Sequence, residues 1–199
     1  MIPGPITPEL QQRIEHRIMH GTTYRGVPTL KMPTDAWVYQ EIIWELRPAV
    51  VVEVGNRFGG SLMMLEDMRF SYLLSRTIGV DIDHDQLHED VLMDVDDGAL
   101  SLVTGDAIDA YPTVADLVGG RSCLVIEDSA HTYEHTLAVM RTYGQLVQPG
   151  GYMIVEDGVM QPVADALATF AAEQDSFVAD PTREWPITWN PGGYLRRVK

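Results

Sequence analysis

Short apolar runs alternate with helix-length segments along most of this chain. The runs span residues 49–54, 77–81, 100–103, 122–126 and 152–155, and several are rich in β-branched residues. Each is too short for a stable helix, and runs that are apolar on both faces are typical of buried parallel strands. Strict alternation of strands and helices predicts an open, mostly parallel α/β sheet with helices on both faces.

The C-terminal end departs from this alternation. Residues 176–179 and 194–198 both have strand character, and no helical segment separates them. Two successive strands without a crossover helix predict an antiparallel hairpin at one edge of the sheet. The predicted sheet therefore has seven strands.

The organisation of the chain predicts a single domain. Helices are expected over 7–20 and 34–46, and a further short helix over 84–91. No repeat, low-complexity stretch or long linker interrupts the pattern. We expect residues 1–48 to form a helical cap over the ligand crevice and residues 49–199 to form the α/β core.

The charge of the chain excludes some function classes. Its 29 acidic and 14 basic residues give a formal net charge of −15, which would repel a nucleic-acid backbone. No apolar run approaches the length of a membrane span, and the N-terminus lacks the features of a signal peptide. The single cysteine, Cys123, lies in an apolar run and fits a core position in a reducing compartment. We therefore expect a soluble cytoplasmic protein.

Carboxylates follow two of the predicted strands at the point where each ends. Asp128 comes after the run 122–126, and Glu156 and Asp157 come after the run 152–155. The carboxyl ends of neighbouring parallel strands meet at the ligand crevice, so these three acids should lie close together. Such a group favours a bound cation, and oxygen ligands favour Mg²⁺. The alternative is that these acids begin ordinary solvated loops.

A glycine-rich segment follows the first strand of the core. It reads Glu53-Val54-Gly55-Asn56-Arg57-Phe58-Gly59-Gly60-Ser61. A dinucleotide-binding loop has glycine at its first, third and sixth positions, and Arg57 at the middle place disfavours a pyrophosphate. The acids that end the next two strands, Asp81 and Asp106, are placed to reach a ribose and an adenine edge. Together they predict a pocket for a nucleotide-like cofactor.

The same motifs resemble those of class I S-adenosylmethionine-dependent methyltransferases. More specifically, the chain is similar to the cephalosporin hydroxylase and rhamnosyl O-methyltransferase family. The similar segments are residues 28–35, 39–48, 53–61, 79–83, 128–135, 156–157 and 190–194. The resemblance implies a Rossmann-like, seven-stranded methyltransferase sheet, bound S-adenosylmethionine, and Mg²⁺ held by Asp128, Glu156 and Asp157. The predicted cofactor-binding residues are Lys31, Glu53, Gly55, Asn56, Arg57, Gly59, Ser61, Asp81, Asp83 and Asp106.

His131 is the candidate general base. Its position three residues after Asp128 is similar to that of the base in Mg²⁺-dependent catechol and sugar O-methyltransferases. An alcohol is a weak nucleophile near neutral pH, and a cation that lowers its pKa helps a histidine to accept its proton. His131 could instead cap the following helix, and the role of His135, one turn further along, stays open.

Three functions compete at this point. The resemblance implies O-methylation of a sugar hydroxyl, on a rhamnose- or mannose-type glycoside, oligosaccharide or glycolipid, by a protein that could form homo-oligomers. The second is an oxidative hydroxylase of antibiotic tailoring, for which His88-Glu89-Asp90 superficially supplies part of an iron site. The third is a non-catalytic S-adenosylmethionine-binding protein, which would have no use for a base.

Overall fold

The computed structural model describes residues 7–95 and 99–199. Its helices are α1 (Pro8–Gly21), α2 (Pro33–Leu46), α3 (Gly60–Tyr72), α4 (Glu89–Val95), α5 (Ala107–Val118), α6 (Tyr133–Tyr143) and α7 (Gln161–Glu173). Its strands are β1 (Thr23–Tyr24), β2 (Val27–Pro28), β3 (Val50–Val54), β4 (Arg76–Asp81), β5 (Leu100–Thr104), β6 (Cys123–Glu127), β7 (Tyr152–Val155), β8 (Phe177–Ala179) and β9 (Tyr194–Arg197).

Seven strands form one sheet in the order β5-β4-β3-β6-β7-β9-β8. In this order, the neighbouring strands β5, β4, β3, β6 and β7 pair in parallel, and β9 pairs antiparallel with both β7 and β8. The predicted seven-stranded, mostly parallel sheet with an antiparallel edge is confirmed. The last strand of the chain lies inside the edge, between β7 and β8, and β1 and β2 form a separate small hairpin.

The central strands are buried on both faces. All five residues of β3 are buried, and β6 and β7 are buried along their whole length. Val50, Val52 and Val54 point into a core shared with α5, α6 and α7, whereas Val51 points into a core shared with α2 and α3. Side chains alternate between the two faces of a strand, so the valines of β3 supply both cores.

The two helices before β3 differ in how much they contribute to these cores. Helix α2 buries Val38, Tyr39, Ile42 and Ile43 against one face of the sheet. Helix α1 lies further out, and its one buried residue is Ile18. None of the helices in the described part of the chain combines the length and the apolar character needed to cross a membrane.

Two local predictions are wrong. The segment predicted as a helix over 84–91 begins as a turn, in which Asp83 Oδ1 accepts a hydrogen bond from the Asp85 amide, and α4 starts only at Glu89. An aspartate that binds the backbone two residues on stabilises a turn rather than a helix. The sequence pattern also predicts a helix over 60–74 with Leu73 as a packing residue, but Leu73 is 89% exposed because it caps α3 in the left-handed conformation.

Candidate active site

A cavity of about 980 Å³ opens at the C-terminal edge of the parallel strands. Its wall comes from the loops after β3, β4, β5, β6 and β7, from residues 28–31, and from Trp189. The predicted site residues in this wall are Lys31, Gly55, Asn56, Arg57, Ser61, Asp81, Asp83, Asp106, Asp128, His131 and Asp157. Glu53, Gly59 and Glu156 lie behind the wall.

Gly55 allows the ends of β3 and β6 to touch. Its φ is 92°, and a Cβ there would lie 2.0 Å from the backbone oxygen of Asp128. The Asp128 amide in turn donates a hydrogen bond of 2.8 Å to the Val54 oxygen. A residue with a side chain would separate these ends, so glycine at this position holds the predicted cofactor loop against the predicted metal ligand.

Asp81 fixes the glycine-rich loop. Its Oδ2 accepts hydrogen bonds from the amides of Asn56, at 2.7 Å, and Arg57, at 2.9 Å, while Oδ1 accepts one from the Ile82 amide. The carboxylate was predicted to bind a ribose, and it does face the cavity. In the structure, the Asp81 carboxylate also stabilises the loop, because it accepts hydrogen bonds from these three backbone amides.

The other acids at this end of the cavity also organise backbone. Asp106 caps α5 by accepting from the Ile108 amide at 2.8 Å, and Asp83 holds the turn after β4. Gly59 points away from the cavity, toward Leu87 and Val91. A side chain there would clash with these two residues at 2.8 Å, so glycine allows the start of α3 to pack closely against them, and contact of Gly59 with a cofactor stays a prediction.

Glu53 lies behind the glycine loop and is fully buried. Its Oε2 accepts hydrogen bonds from Ser61 Oγ at 2.9 Å and Asn56 Nδ2 at 3.2 Å. Burial raises the pKa of Glu53, against the lowering effect of Lys31, whose Nζ lies 3.2 Å from Oε1. The carboxylate thus shapes the loop from inside.

Lys31 is the centre of a buried charge cluster. Its side chain is 3% exposed, and Nζ pairs with Glu53, with Asp128 at 2.8 Å and with Glu156. Burial disfavours the ammonium, but the charges of Asp128, Glu156 and Glu53 outweigh this and raise the pKa of Lys31 well above its ordinary value. The predicted contact of Lys31 with a cofactor carboxylate is untested, and its partners within the protein are these three acids.

His131 links the two strand-end loops on the cavity side. Its Nε2 lies 3.1 Å from both Asp128 Oδ1 and Asp157 Oδ2. Burial opposes the imidazolium, yet the hydrogen bond and charge of Asp128, with the charges of Asp157 and Glu127, raise the pKa of His131. The cap of α6 is instead Thr132, whose Oγ1 accepts from the His135 amide at 3.4 Å, so His131 is not needed for that role.

The predicted metal ligands fall into two overlapping groups. Asp128, His131 and Asp157 form one, and Glu53, Asp128 and Glu156 form the other; in each, ligand atoms lie within 4.8 Å of one another. Asp128 belongs to both, and the Glu156 amide donates to the Glu127 oxygen at 2.9 Å, which joins the two strand ends. Asp128 therefore lies between the other two predicted ligands.

The charges in these groups fit a hard cation. Burial and the charge of Asp128 raise the pKa of both Glu156 and Asp157. Burial also opposes ionisation of Asp128, but Lys31 and His131 overcome it and lower the pKa of that group. Four carboxylates share one lysine and one histidine, so negative charge is in excess, and the donors are almost all oxygen.

Other residues, to which the sequence pattern assigns no role, also contribute to the site. Trp189 and His135 line the cavity, and Asn190 Oδ1 accepts from the Asp157 amide at 3.1 Å. Asn190 lies in a segment that had been noted as similar to the family, but spacing alone did not connect it to Asp157. His88 and Asp90, by contrast, form an exposed pair at the start of α4, outside the cavity wall.

Comparisons with known proteins identify the family of this chain. The family model described as "Rhamnosyl O-methyltransferase/CmcI" matches residues 16–198. The rhamnosyl O-methyltransferase of Mycobacterium tuberculosis is 30% identical over 196 residues, covering 88% of this chain and 78% of that protein. The enzyme of the same name from Mycobacterium leprae is 29% identical over 180 residues, covering 85% of this chain and 74% of that protein.

Solved structures give the same result for the fold. A CmcI structure described as carrying Mg and SAM has a TM-score of 0.69 and 27% identity, covering 89% of this chain and 77% of that one. A TDP-rhamnose 3'-O-methyltransferase of calicheamicin biosynthesis has a TM-score of 0.61 at 18% identity, covering 96% and 95%, which supports the fold alone. With a family model matching nearly the whole chain, this protein belongs to the rhamnosyl O-methyltransferase/CmcI family.

Proposed function

We propose that this protein is an S-adenosylmethionine- and Mg²⁺-dependent O-methyltransferase that methylates a sugar hydroxyl. The observation that carries the proposal is a shared cavity. The glycine loop after β3 and the cluster of Asp128, His131 and Asp157 open into the same space of about 980 Å³. That volume lies at the upper end for ligand pockets, which leaves room for a methyl donor and a sugar together.

The cofactor half of the cavity is the end formed by β3, β4 and β5. We assign Gly55, Asn56, Arg57 and Ser61 to the methionine portion, Asp81 and Asp83 to the ribose and Asp106 to the adenine. Support comes from their positions in one wall. Glu53 and Gly59 support this half from behind, by holding the loop and packing α3.

The metal half lies at the ends of β6 and β7. Asp128, Glu156 and Asp157 would hold Mg²⁺, with Lys31 limiting the negative charge on the buried side. When bound, S-adenosylmethionine supplies an electrophilic methyl group, and Mg²⁺ supplies positive charge that favours the ionised form of the acceptor hydroxyl. The carboxylates and the glycine loop orient the two reactants, and such orientation accounts for much of the rate in displacement reactions.

His131 would accept the proton. S-adenosylmethionine, held at the glycine loop, would supply the methyl group to the acceptor oxygen, with its sulfur as the leaving group that keeps the bonding electron pair. The hydroxyl proton passes to the neutral imidazole of His131, which faces the cavity between Asp128 and Asp157. These carboxylates hold the ring in place and stabilise the imidazolium that results.

The acceptor is proposed to be a rhamnose- or mannose-type glycoside, oligosaccharide or glycolipid. The names of the mycobacterial relatives support a rhamnosyl acceptor. A vicinal diol on such a sugar offers two neighbouring oxygens to a hard cation, as a catechol does. The cytoplasmic location and a homo-oligomeric state stay predictions.

Methyl transfer to a sugar panel tests the function. We expect isotopically labelled S-adenosylmethionine to label rhamnosyl or mannosyl acceptors, EDTA to abolish transfer and Mg²⁺ to restore it. Asp128→Asn should lose most activity and largely keep cofactor affinity, measured by calorimetry. The exposed Asp165→Asn is the matched control and should behave as wild type. Full activity after exhaustive chelation would contradict the metal assignment.

A further inference from the structure

The segment before β9 crosses the loop that carries Asp157. Asn190 in this segment is 1% exposed. Its Oδ1 accepts a hydrogen bond from the Asp157 amide at 3.1 Å, and its Nδ2 donates to the Tyr39 hydroxyl at 3.0 Å. One buried side chain thus connects helix α2 to the backbone of a predicted metal ligand.

Asp157 needs such support because of its backbone conformation. Its φ is 56°, in the left-handed region that residues with a side chain rarely adopt. This conformation lets the Asp157 side chain reach His131 at 3.1 Å. In this conformation the Asp157 amide points toward Asn190 and donates to its Oδ1. Without the Asn190 side chain, this amide would need another acceptor.

The segment carrying Asn190 is itself anchored. Asp35 accepts hydrogen bonds from Thr188 Oγ1 at 2.6 Å, from the Trp189 amide at 2.8 Å and from the Tyr194 hydroxyl at 2.9 Å. Asp35 is 1% exposed. An ionised carboxylate with three donors is a strong and directional anchor for the chain it holds.

Two further contacts fix the distance between the loops. The Val159 amide donates to the Trp189 oxygen at 3.1 Å. Gly158 packs so closely that a Cβ there would lie 2.4 Å from the Pro191 oxygen. Residues 188–191 therefore lie directly on residues 157–159 and have little freedom to shift relative to them.

We propose that Asn190 is a positioning residue for the metal site: through its hydrogen bond to the Asp157 amide it holds Asp157 in the conformation that presents the carboxylate to the cation, and Asp35 anchors it. This inference rests on the proposed function. It assigns a role to Asn190 and to Asp35, two buried residues that do not take part in the proposed reaction itself. It also predicts a separation between metal affinity and general stability.

Mg²⁺ binding by calorimetry, in the absence of cofactor and acceptor, tests the proposal. Asn190→Leu keeps the approximate volume and removes both hydrogen bonds, so Mg²⁺ affinity should fall by about 10- to 100-fold, as is usual for partners that orient metal ligands. Tyr39→Phe removes the other partner of Asn190 but leaves the acceptor for the Asp157 amide in place, so Mg²⁺ affinity should stay within about threefold of wild type. If the leucine variant fails to fold, Asn190→Ser keeps a polar side chain, shortens it, and should lower Mg²⁺ affinity in the same way.

A control variant separates positioning from stability. Tyr143→Phe removes a fully buried hydroxyl that donates to the Ala107 oxygen at 2.7 Å, on the side of the sheet remote from Asn190. It should lower the melting temperature and leave Mg²⁺ affinity unchanged. Wild-type affinity in Asn190→Leu or Asn190→Ser would overturn the inference alone. A wild-type protein that binds no Mg²⁺ would overturn the proposed function and this inference with it.

Discussion

Two residues at the centre of the site have backbone conformations that usually belong to glycine. The φ of His131 is 52° and that of Asp157 is 56°. For a residue with a Cβ, the left-handed conformation costs about 1–2 kcal/mol. The two side chains meet at 3.1 Å as a result. This conformation brings together the two side chains to which the proposed function gives the proton-accepting and metal-binding roles.

Removal of His131 tests that role. His131→Ala should lower kcat by about 10²–10⁴, the usual range for loss of a general base. Cofactor affinity by calorimetry should survive, because His131 is assigned no part in holding the methyl donor. The rate of wild type should rise with pH through the titration of a histidine, and this limb should be absent from the variant.

The neighbouring histidine provides a matched control. His135 also lines the cavity, but it lies on α6, one turn beyond His131. His135→Ala should reduce kcat far less than His131→Ala does. Near wild-type kcat and an unchanged pH profile in His131→Ala would mean that another group takes the proton.

At the residue scale, the sequence predicts which side chains belong to the site better than it predicts how deeply they are buried. Asp128 and His131 were found because they follow a strand end at a spacing that suits one loop. Glu53 and Glu156 lie behind the cavity wall, a depth that the sequence does not predict, since strand ends specify an edge of the sheet but not how far each side chain lies from the cavity. Asn190 was missed because it meets Asp157 from 33 positions away in the chain.

The elements follow the sequence most closely where burial dominates. The valine-rich β3 and the apolar β6 and β7 were predicted within a residue or two, because short β-branched runs have few alternatives. Helix α4 was misplaced because local turn chemistry around Asp83 decided where the helix begins. The position of β9 between β7 and β8 depends on pairing, which local pattern does not determine.

The segment before β9 should depend on one anchor in α2. Asp35→Ala would leave the buried Tyr194 hydroxyl, Thr188 Oγ1 and the Trp189 amide without this acceptor. We expect the free energy of unfolding to fall by about 2–4 kcal/mol, since each unsatisfied buried donor costs about 1–3 kcal/mol and part of the loss is relieved by relaxation. Urea denaturation measures this change. Asp165→Ala, at an exposed position of α7, should change it by less than about 0.5 kcal/mol, and equal effects of the two would contradict the anchor.

One contribution to the stability of the molecule, that of His84, should decrease on mild acidification. Burial lowers the pKa of His84 against the charges of Asp81 and Asp83. Its Nδ1 lies 2.8 Å from Thr104 Oγ1, and its buried Nε2 has no hydrogen-bond partner among the described residues. Below pH 6.5 the unfolded chain takes up a proton on this residue more readily than the folded protein does. The His84 contribution is therefore present above that pH and lost as pH falls.

Thermal unfolding between pH 7.5 and about 5 measures this effect. His84→Asn should remove this contribution because asparagine does not titrate, so between pH 7.5 and about 5 the melting temperature of the variant should fall less, or rise more, than that of wild type. The same substitution at His16, which is exposed on α1, should leave the slope as in wild type. A wild-type slope in His84→Asn would assign the acid sensitivity to other groups.

The burial of Lys31 makes the chain unusually simple to label. The sequence contains two lysines, and the other, Lys199, has a side chain that is 63% exposed. Amine-acylating reagents attack the neutral amine, so a lysine that is enclosed and held as an ammonium by three acids should be inert. Mass spectrometry after brief acylation should find the tag on Lys199 and leave Lys31 unmodified. A tag on Lys31 then becomes a reporter of molecules whose charge cluster has opened, readable without substrate, cofactor or metal.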